Sequence, residues 1–151
     1  MYNEFDIEPF IGVGKLQFGM SSRQVANAIG NPDSSRKTFL GEVKEYRREN
    51  GLITTYTKDT DDLIEIGFSS NITELQYKGR KLFVEPALAI FDELIREDGL
   101  PYETVGFIVL LKLGMTVTGF HDGAEEQKAV TVFAQGRWNV EKDELKLLAL
   151  P

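Results

Sequence analysis

The chain has no cysteine. That absence removes disulfide frameworks, thiolate metal sites, cysteine nucleophiles and a lipid-bearing cysteine. It also suits the cytoplasm, where thiols stay reduced and disulfides are rare. Histidine is nearly missing as well: His121 is the single one. No paired zinc-ligand motif can be written from it, and any Ser-His arrangement would have to use that one imidazole. Phosphate loop, dinucleotide fingerprint and nucleophile elbow are all lacking, and Gly12-Val13-Gly14 has neither the third glycine nor the helix that should follow at once. The longest apolar run, Phe107 to Leu111, falls far short of the roughly 20 residues a bilayer-spanning helix needs. The opening MYNEFDIEPF is acidic, without the basic and apolar regions of a secretory signal.

Positive charge is also in deficit. There are 17 basic residues against 24 acidic ones, for a net charge of −7 and a pI near 4.8. Phosphate backbones would be repelled by such a surface, so nucleic acid is not the expected partner, nor is a membrane. A basic protein partner would instead be attracted and its encounter accelerated. No cofactor and no metal are expected.

What is present describes one folded domain over residues 1–151, with 42% hydrophobic and 27% charged residues, an ordinary balance for a chain that buries a core. Its clearest local signal is GKLQFGMSSRQVANAIGNP, Gly14 to Pro32. Ser21 and Gln24 have capping-box spacing, Val25 and Ile29 share a helical face, and Gly30 followed by Pro32 ends the element. The spacing predicts a helix over about 22–29, with Leu16 and Phe18 leading in and an extended arm before it carrying Phe5, Ile7 and Phe10.

Beyond the loop at Asn31 to Ser35 the pattern turns extended. A strand is expected over Phe39 to Arg48, a hairpin turn at Asn50-Gly51, and a return strand over Leu52 to Lys58. Asp59-Thr60-Asp61-Asp62 makes the next turn. Ile64, Ile66 and Phe68 then alternate with polar or small residues, as in a strand with one buried face, and Ile72 to Tyr77 can add a short one. The cations Arg36, Lys37, Lys44, Arg47 and Arg48 interleave with Glu42, Glu45 and Glu49 and read as a solvated edge strand. A second helix is predicted from Pro86 to about residue 97, with Ala87, Leu88, Ile90, Phe91, Leu94 and Ile95 on a broad apolar stripe, polar Arg96, Glu97 and Asp98 at its end, and Gly99 and Pro101 as the stop. Strands follow over Thr104 to Lys112, Met115 to His121 and Lys128 to Ala134. The unbroken run Phe107 to Leu111 points to a strand buried on both faces or one crossing the middle of the sheet. Residues 141–149 form a short helix or a docked tail. Helix, meander, helix, meander gives an α+β fold: a mostly antiparallel sheet covered by two helices.

Two charged turns are the candidate sites. Asp59, Asp61 and Asp62 form the densest acidic cluster, although the glycine and distant glutamate of a calcium loop are absent. His121, Asp122, Glu125 and Glu126 lie together in a polar loop. Asp59, Asp61, Asp62, Glu125 and Glu126 are thus the residues expected to meet a basic partner, and no catalytic residue is assigned. Trp138 beside Arg137 is read as a partly buried residue closing the core.

The stretch Leu16 to Pro32 resembles the helix-plus-meander unit of the SmpA/OmlA outer-membrane assembly lipoproteins and of the β-lactamase inhibitor protein. The chain departs from the lipoproteins in lacking a signal peptide and a lipidatable cysteine. Together with Leu113 to Gly123 and Ala129 to Trp138, the stretch also resembles small bacterial immunity-type proteins that neutralise polymorphic or contact-dependent growth inhibition toxins. The second resemblance implies a cytoplasmic, non-enzymatic inhibitor that binds a basic toxin domain, for example a nuclease, and blocks it. The alternatives are a small enzyme or ligand-binding domain with a sheet-helix pocket near His121, and a structural module of an envelope or secretion assembly.

Overall fold

A computed structural model describes residues 5–104, 107–120, 127–138 and 146–148. The chain begins with three two-residue strands, β1 (Ile7–Glu8), β2 (Gly12–Val13) and β3 (Leu16–Gln17), paired antiparallel as a small sheet of their own. Helix α1 (Ser22–Ile29) follows with the predicted capping box: the Gln24 amide donates to Ser21 Oγ at 3.1 Å, and the Ser21 amide donates to Gln24 Oε1 at 2.8 Å. Two N–H groups that a helix start leaves orphaned are thereby satisfied.

Four strands come next: β4 (Ser34–Lys37), β5 (Val43–Arg47), β6 (Leu52–Tyr56) and β7 (Leu63–Ser69). A small hairpin of β8 (Gln76–Tyr77) and β9 (Arg80–Lys81) then leads to α2 (Ala87–Asp98). The second meander is β10 (Tyr102–Thr104), β11 (Phe107–Leu110), β12 (Met115–Thr118) and β13 (Ala129–Phe133), and β14 (Lys146–Leu147) returns to pair with β10. The two meanders are not separate layers. They join through β7 and β13 into one nine-stranded antiparallel sheet, ordered β14-β10-β11-β12-β13-β7-β6-β5-β4.

Register divides that sheet into two faces. Thr54, Ile66, Val132, Met115 and Leu110 are successive cross-strand partners, so they form one row. Their face meets Val25 of α1 and Ala87, Ile90, Phe91, Leu94 and Ile95 of α2 in a single buried cluster. Helix α2 ends at Gly99, whose φ of 80° is the left-handed conformation that glycine adopts without a Cβ penalty. On the opposite face the row runs Ile53, Gly67, Thr131, Thr116, Val109. There Phe133 is buried against Phe10 and Trp138, with ring centroids 6.3 and 6.4 Å away, and Trp138 also meets Phe107 at 5.9 Å. Val109 is fully buried on this second face, which explains why Ile108, Val109 and Leu110 form an apolar run with no polar alternation.

Several elements differ from expectation. The strand predicted over Phe39 to Arg48 is instead the second arm of a hairpin, because the chain turns at Thr38 to Glu42: the Thr38 amide donates to Glu42 O at 2.7 Å, and Gly41 takes a φ of 88°. This turn places Phe39 and Leu40 at a hairpin tip. Thr104 to Lys112 likewise divides into β10 and β11. Leu88 is exposed although it was placed on the apolar stripe of α2, while Asp98, one of the polar residues at the end of that helix, is buried. Among the described residues no helix is long and apolar enough to cross a membrane.

Candidate binding surface

The three aspartates of the β6–β7 turn do not act as one free cluster. Asp61 turns its carboxylate to the start of α1, where Oδ2 accepts from the Ser22 amide at 3.1 Å and from Ser22 Oγ at 2.9 Å. An acid at a helix N-terminus meets both the orphan N–H groups and the positive end of the dipole. Asp62 is half-buried, and its amide donates to Thr57 Oγ1 at 2.9 Å. Asp59 alone stands exposed without such a bond, held at φ 71°. Sequence spacing placed all three in one turn but could not tell which one the distant Ser22 engages. Glu125, Glu126 and His121 lie outside the described residues.

Next to Asp59 is the feature that sequence reading missed. Phe39 and Leu40, at the β4–β5 tip, are 102% and 73% exposed. Together with Lys37, Thr38, Gly41, Val43, Lys58 and Asp59 they border an open hollow. The aliphatic chain of Lys58 runs so close to Gly41 that a Cβ there would lie 2.7 Å from Lys58 Cδ. The two turns therefore form one surface: an apolar knob with Lys37, Lys58 and Asp59 around it.

Further along β5 the charges expected on a solvated edge strand are partly internal. Arg47 is 6% exposed. Its Nε and Nη2 donate to Gly30 O at 3.1 and 2.9 Å, and Nη1 donates to Thr54 Oγ1 at 3.1 Å. The guanidinium thus satisfies the carbonyl just past the C-terminus of α1. Glu45 lies 3.6 Å from Arg47 Nη2 and accepts from the Tyr56 hydroxyl at 2.9 Å. Strand alternation sends Val43, Glu45 and Arg47 inward, and Lys44 and Tyr46 outward.

Burial raises the Tyr56 phenol above its usual range of about 10, and the neighbouring Glu45 carboxylate adds to the rise. The folded protein holds this proton more tightly than the unfolded chain does. The stability it contributes is therefore intact below about pH 10 and is lost as pH climbs further. Burial raises Tyr77 in the same direction. Tyr56→Phe should flatten the alkaline fall of the urea midpoint above pH 10 while costing about 1 kcal/mol at neutral pH. A slope identical to that of the unmodified protein would show that Tyr56 ionises freely.

A second charged group crosses the outer face of the sheet. Arg137 donates from Nη2 to Glu42 Oε1 at 2.8 Å and from Nε to Glu65 Oε1 at 3.0 Å, and Nη1 pairs with Glu42 Oε2. These bonds to Glu42 and Glu65, led by Glu42, raise the guanidinium further above its already high range. The pairing ties the end of the second meander to β7 and to the residue before β5.

No protein-family model, no curated protein and no solved structure matches the chain.

Proposed function

We propose that this chain is a non-enzymatic binding protein of the immunity type, a cytoplasmic inhibitor that holds a basic toxin domain and blocks it by occlusion. The observation that carries the reading is the pair Phe39 and Leu40, presented at a hairpin tip with 102% and 73% of their surface in water. An aromatic anchor among polar neighbours has the anatomy of an interface hot spot, an apolar centre with a charged rim. Lys37, Lys58 and Asp59 supply that rim. The net charge of −7 supports a basic partner by steering its approach, whereas the tip supplies the contact energy. The likeness of Leu16 to Pro32, Leu113 to Gly123 and Ala129 to Trp138 to immunity-type proteins supports the class of partner. Asp59 is the exposed acid that borders this surface, since Asp61 is bonded to α1 and Asp62 is half-buried.

The test is affinity capture from the source cell with tagged protein, followed by titration of the captured domain. A basic toxin domain retained in equimolar amount is the expected result. Phe39→Ala should then weaken its binding by about 2 kcal/mol, roughly thirtyfold, without lowering thermal stability. Asp59→Lys should mainly slow association at low salt. Equal affinity for unmodified protein and a Phe39→Ala/Leu40→Ala variant would remove the tip from the interface. Capture of no protein in equimolar amount would remove the binding function itself.

A further inference from the structure

The tip is flanked by a strand surface whose charge runs against that of the molecule. Strand β4 is the free edge of the nine-stranded sheet, and all four of its residues are exposed. Arg36 lies directly opposite Lys44 in the β4–β5 register, so two cations share a cross-strand position on the outward face. Like charges placed so repel each other and cost stability.

The carboxylates that would relieve them are committed elsewhere. Glu42, two residues before Lys44, takes both outer guanidinium nitrogens of Arg137, and Glu65, across β6, takes the third. Glu45 faces inward to Tyr56 and Arg47. Arg36 is left over the Tyr46 ring, 5.8 Å from its centroid, and neither Arg36 nor Lys44 has an ion-pair partner among the described residues.

The backbone beside these cations is also open. The Thr38 amide bonds to Glu42 O, and strand pairing alternates from there through Arg36 and Ser34. The N–H and C=O groups of Ser35 and Lys37 therefore point away from β5. A row of unpaired, directional donors and acceptors recruits an extended chain.

We infer that the β4 edge takes an acidic extended segment of a partner protein as an added strand, with the segment's carboxylates over Arg36 and Lys44. The inference goes beyond the reading of the tip and does not depend on what Phe39 and Leu40 contact. A second copy of this chain is disfavoured, since antiparallel β4–β4 pairing would bring Arg36 and Lys37 against the same cations. Nucleic acid is disfavoured by the overall negative charge. A lipid headgroup would meet the charges but not the strand-spaced backbone groups.

The experiment is an NMR titration of the full chain with an end-capped peptide of alternating glutamate and threonine, about ten residues long. Expected are shifts and slowed hydrogen exchange at the Ser35 and Lys37 amides, with binding that weakens as salt is raised. Arg36→Glu/Lys44→Glu should weaken it by about tenfold or more. The milder Arg36→Gln/Lys44→Gln pair should weaken it too, which guards against a folding defect in the first variant. Three results would overturn the inference: no change at Ser35 and Lys37 at millimolar peptide; side-chain shifts at Arg36 and Lys44 with amide exchange unaltered; or tighter binding of oligothymidylate or phosphatidylglycerol vesicles at the same residues. The first two mean no strand is added, and the third reassigns the surface to nucleic acid or lipid.

Discussion

Arg47→Ala should lower the unfolding free energy by about 3–5 kcal/mol, the range seen when one partner is removed from a buried charged network. The guanidinium is nearly inaccessible and makes three hydrogen bonds, two to Gly30 O and one to Thr54 Oγ1. Alanine removes the donor from both acceptors at once, leaving Thr54 Oγ1 only the Tyr56 hydroxyl at 3.0 Å. The carbonyl beyond α1 loses its partner, Thr54 is fully buried, and Glu45, 13% exposed, keeps its charge without the neighbouring cation. An acceptor left buried and unsatisfied costs its desolvation, about 1–3 kcal/mol each. Because the bonds reach α1, the helix should fray together with the loss of global stability. Lysine at this position can place one charge but cannot fork between Gly30 O and Thr54, so Arg47→Lys should fall between. Arg47→Met combined with Glu45→Gln should recover part of the loss, since no uncompensated charge remains. Urea denaturation measures all of these. A loss under about 1 kcal/mol for Arg47→Ala would mean that water reaches the site in solution.

A comparable loss, about 3 kcal/mol, is expected for Asp98→Ala. This aspartate closes α2 from inside the protein, at 1% exposure. Its Oδ1 accepts from the Lys112 amide at 2.8 Å and the Leu113 amide at 3.0 Å, and Oδ2 accepts from the Leu100 amide at 3.2 Å. One carboxylate thus holds the end of α2, the chain leaving it, and the turn between β11 and β12. Hydrogen bonds to a charged acceptor contribute about 1.5–3 kcal/mol each, and the three share the cost of burying a single anion. Asp98→Asn keeps one acceptor and turns the other into a donor facing an N–H, so it should fall between the original and alanine. Hydrogen exchange at Lys112 and Leu113 reports the local effect. If both amides remain as protected in Asp98→Ala as before, the carboxylate does not hold the turn.

These two residues show what a sequence does and does not reveal. The capping box of α1 was legible because both of its bonds are made within four residues, so spacing alone specifies them. The alternation of Ile66 and Phe68 and the unbroken run around Val109 were legible because burial per face follows a period of two. Arg47 was misread as solvated, and the burial of polar Asp98 went unread, because a charged residue looks the same in sequence whether its partner is water or a distant backbone group, seventeen residues away for Arg47. The engagement of Asp61 with α1 was illegible for the same reason: the bond from Ser22 to Asp61 spans 39 positions. Phe39 and Leu40 were drawn into a strand because apolar residues beside a β-pattern suggest burial, and only the turn at Gly41 takes them out of the sheet. The joining of the two meanders had no local signal at all.

That joining also governs synthesis. Most of the sheet is built from neighbours in sequence, pairs that close quickly, but Leu63–Ser69 finds its partner in Ala129–Phe133. On the ribosome the first meander must wait for roughly 60 further residues, several seconds at ordinary elongation rates. Throughout that interval β7 is an unprotected edge on a strand that will later lie at the centre of the sheet. The nascent chain is thus most prone to aggregation just before its final long strand emerges, and the pairing of β13 with β7 is the step that ends the hazard.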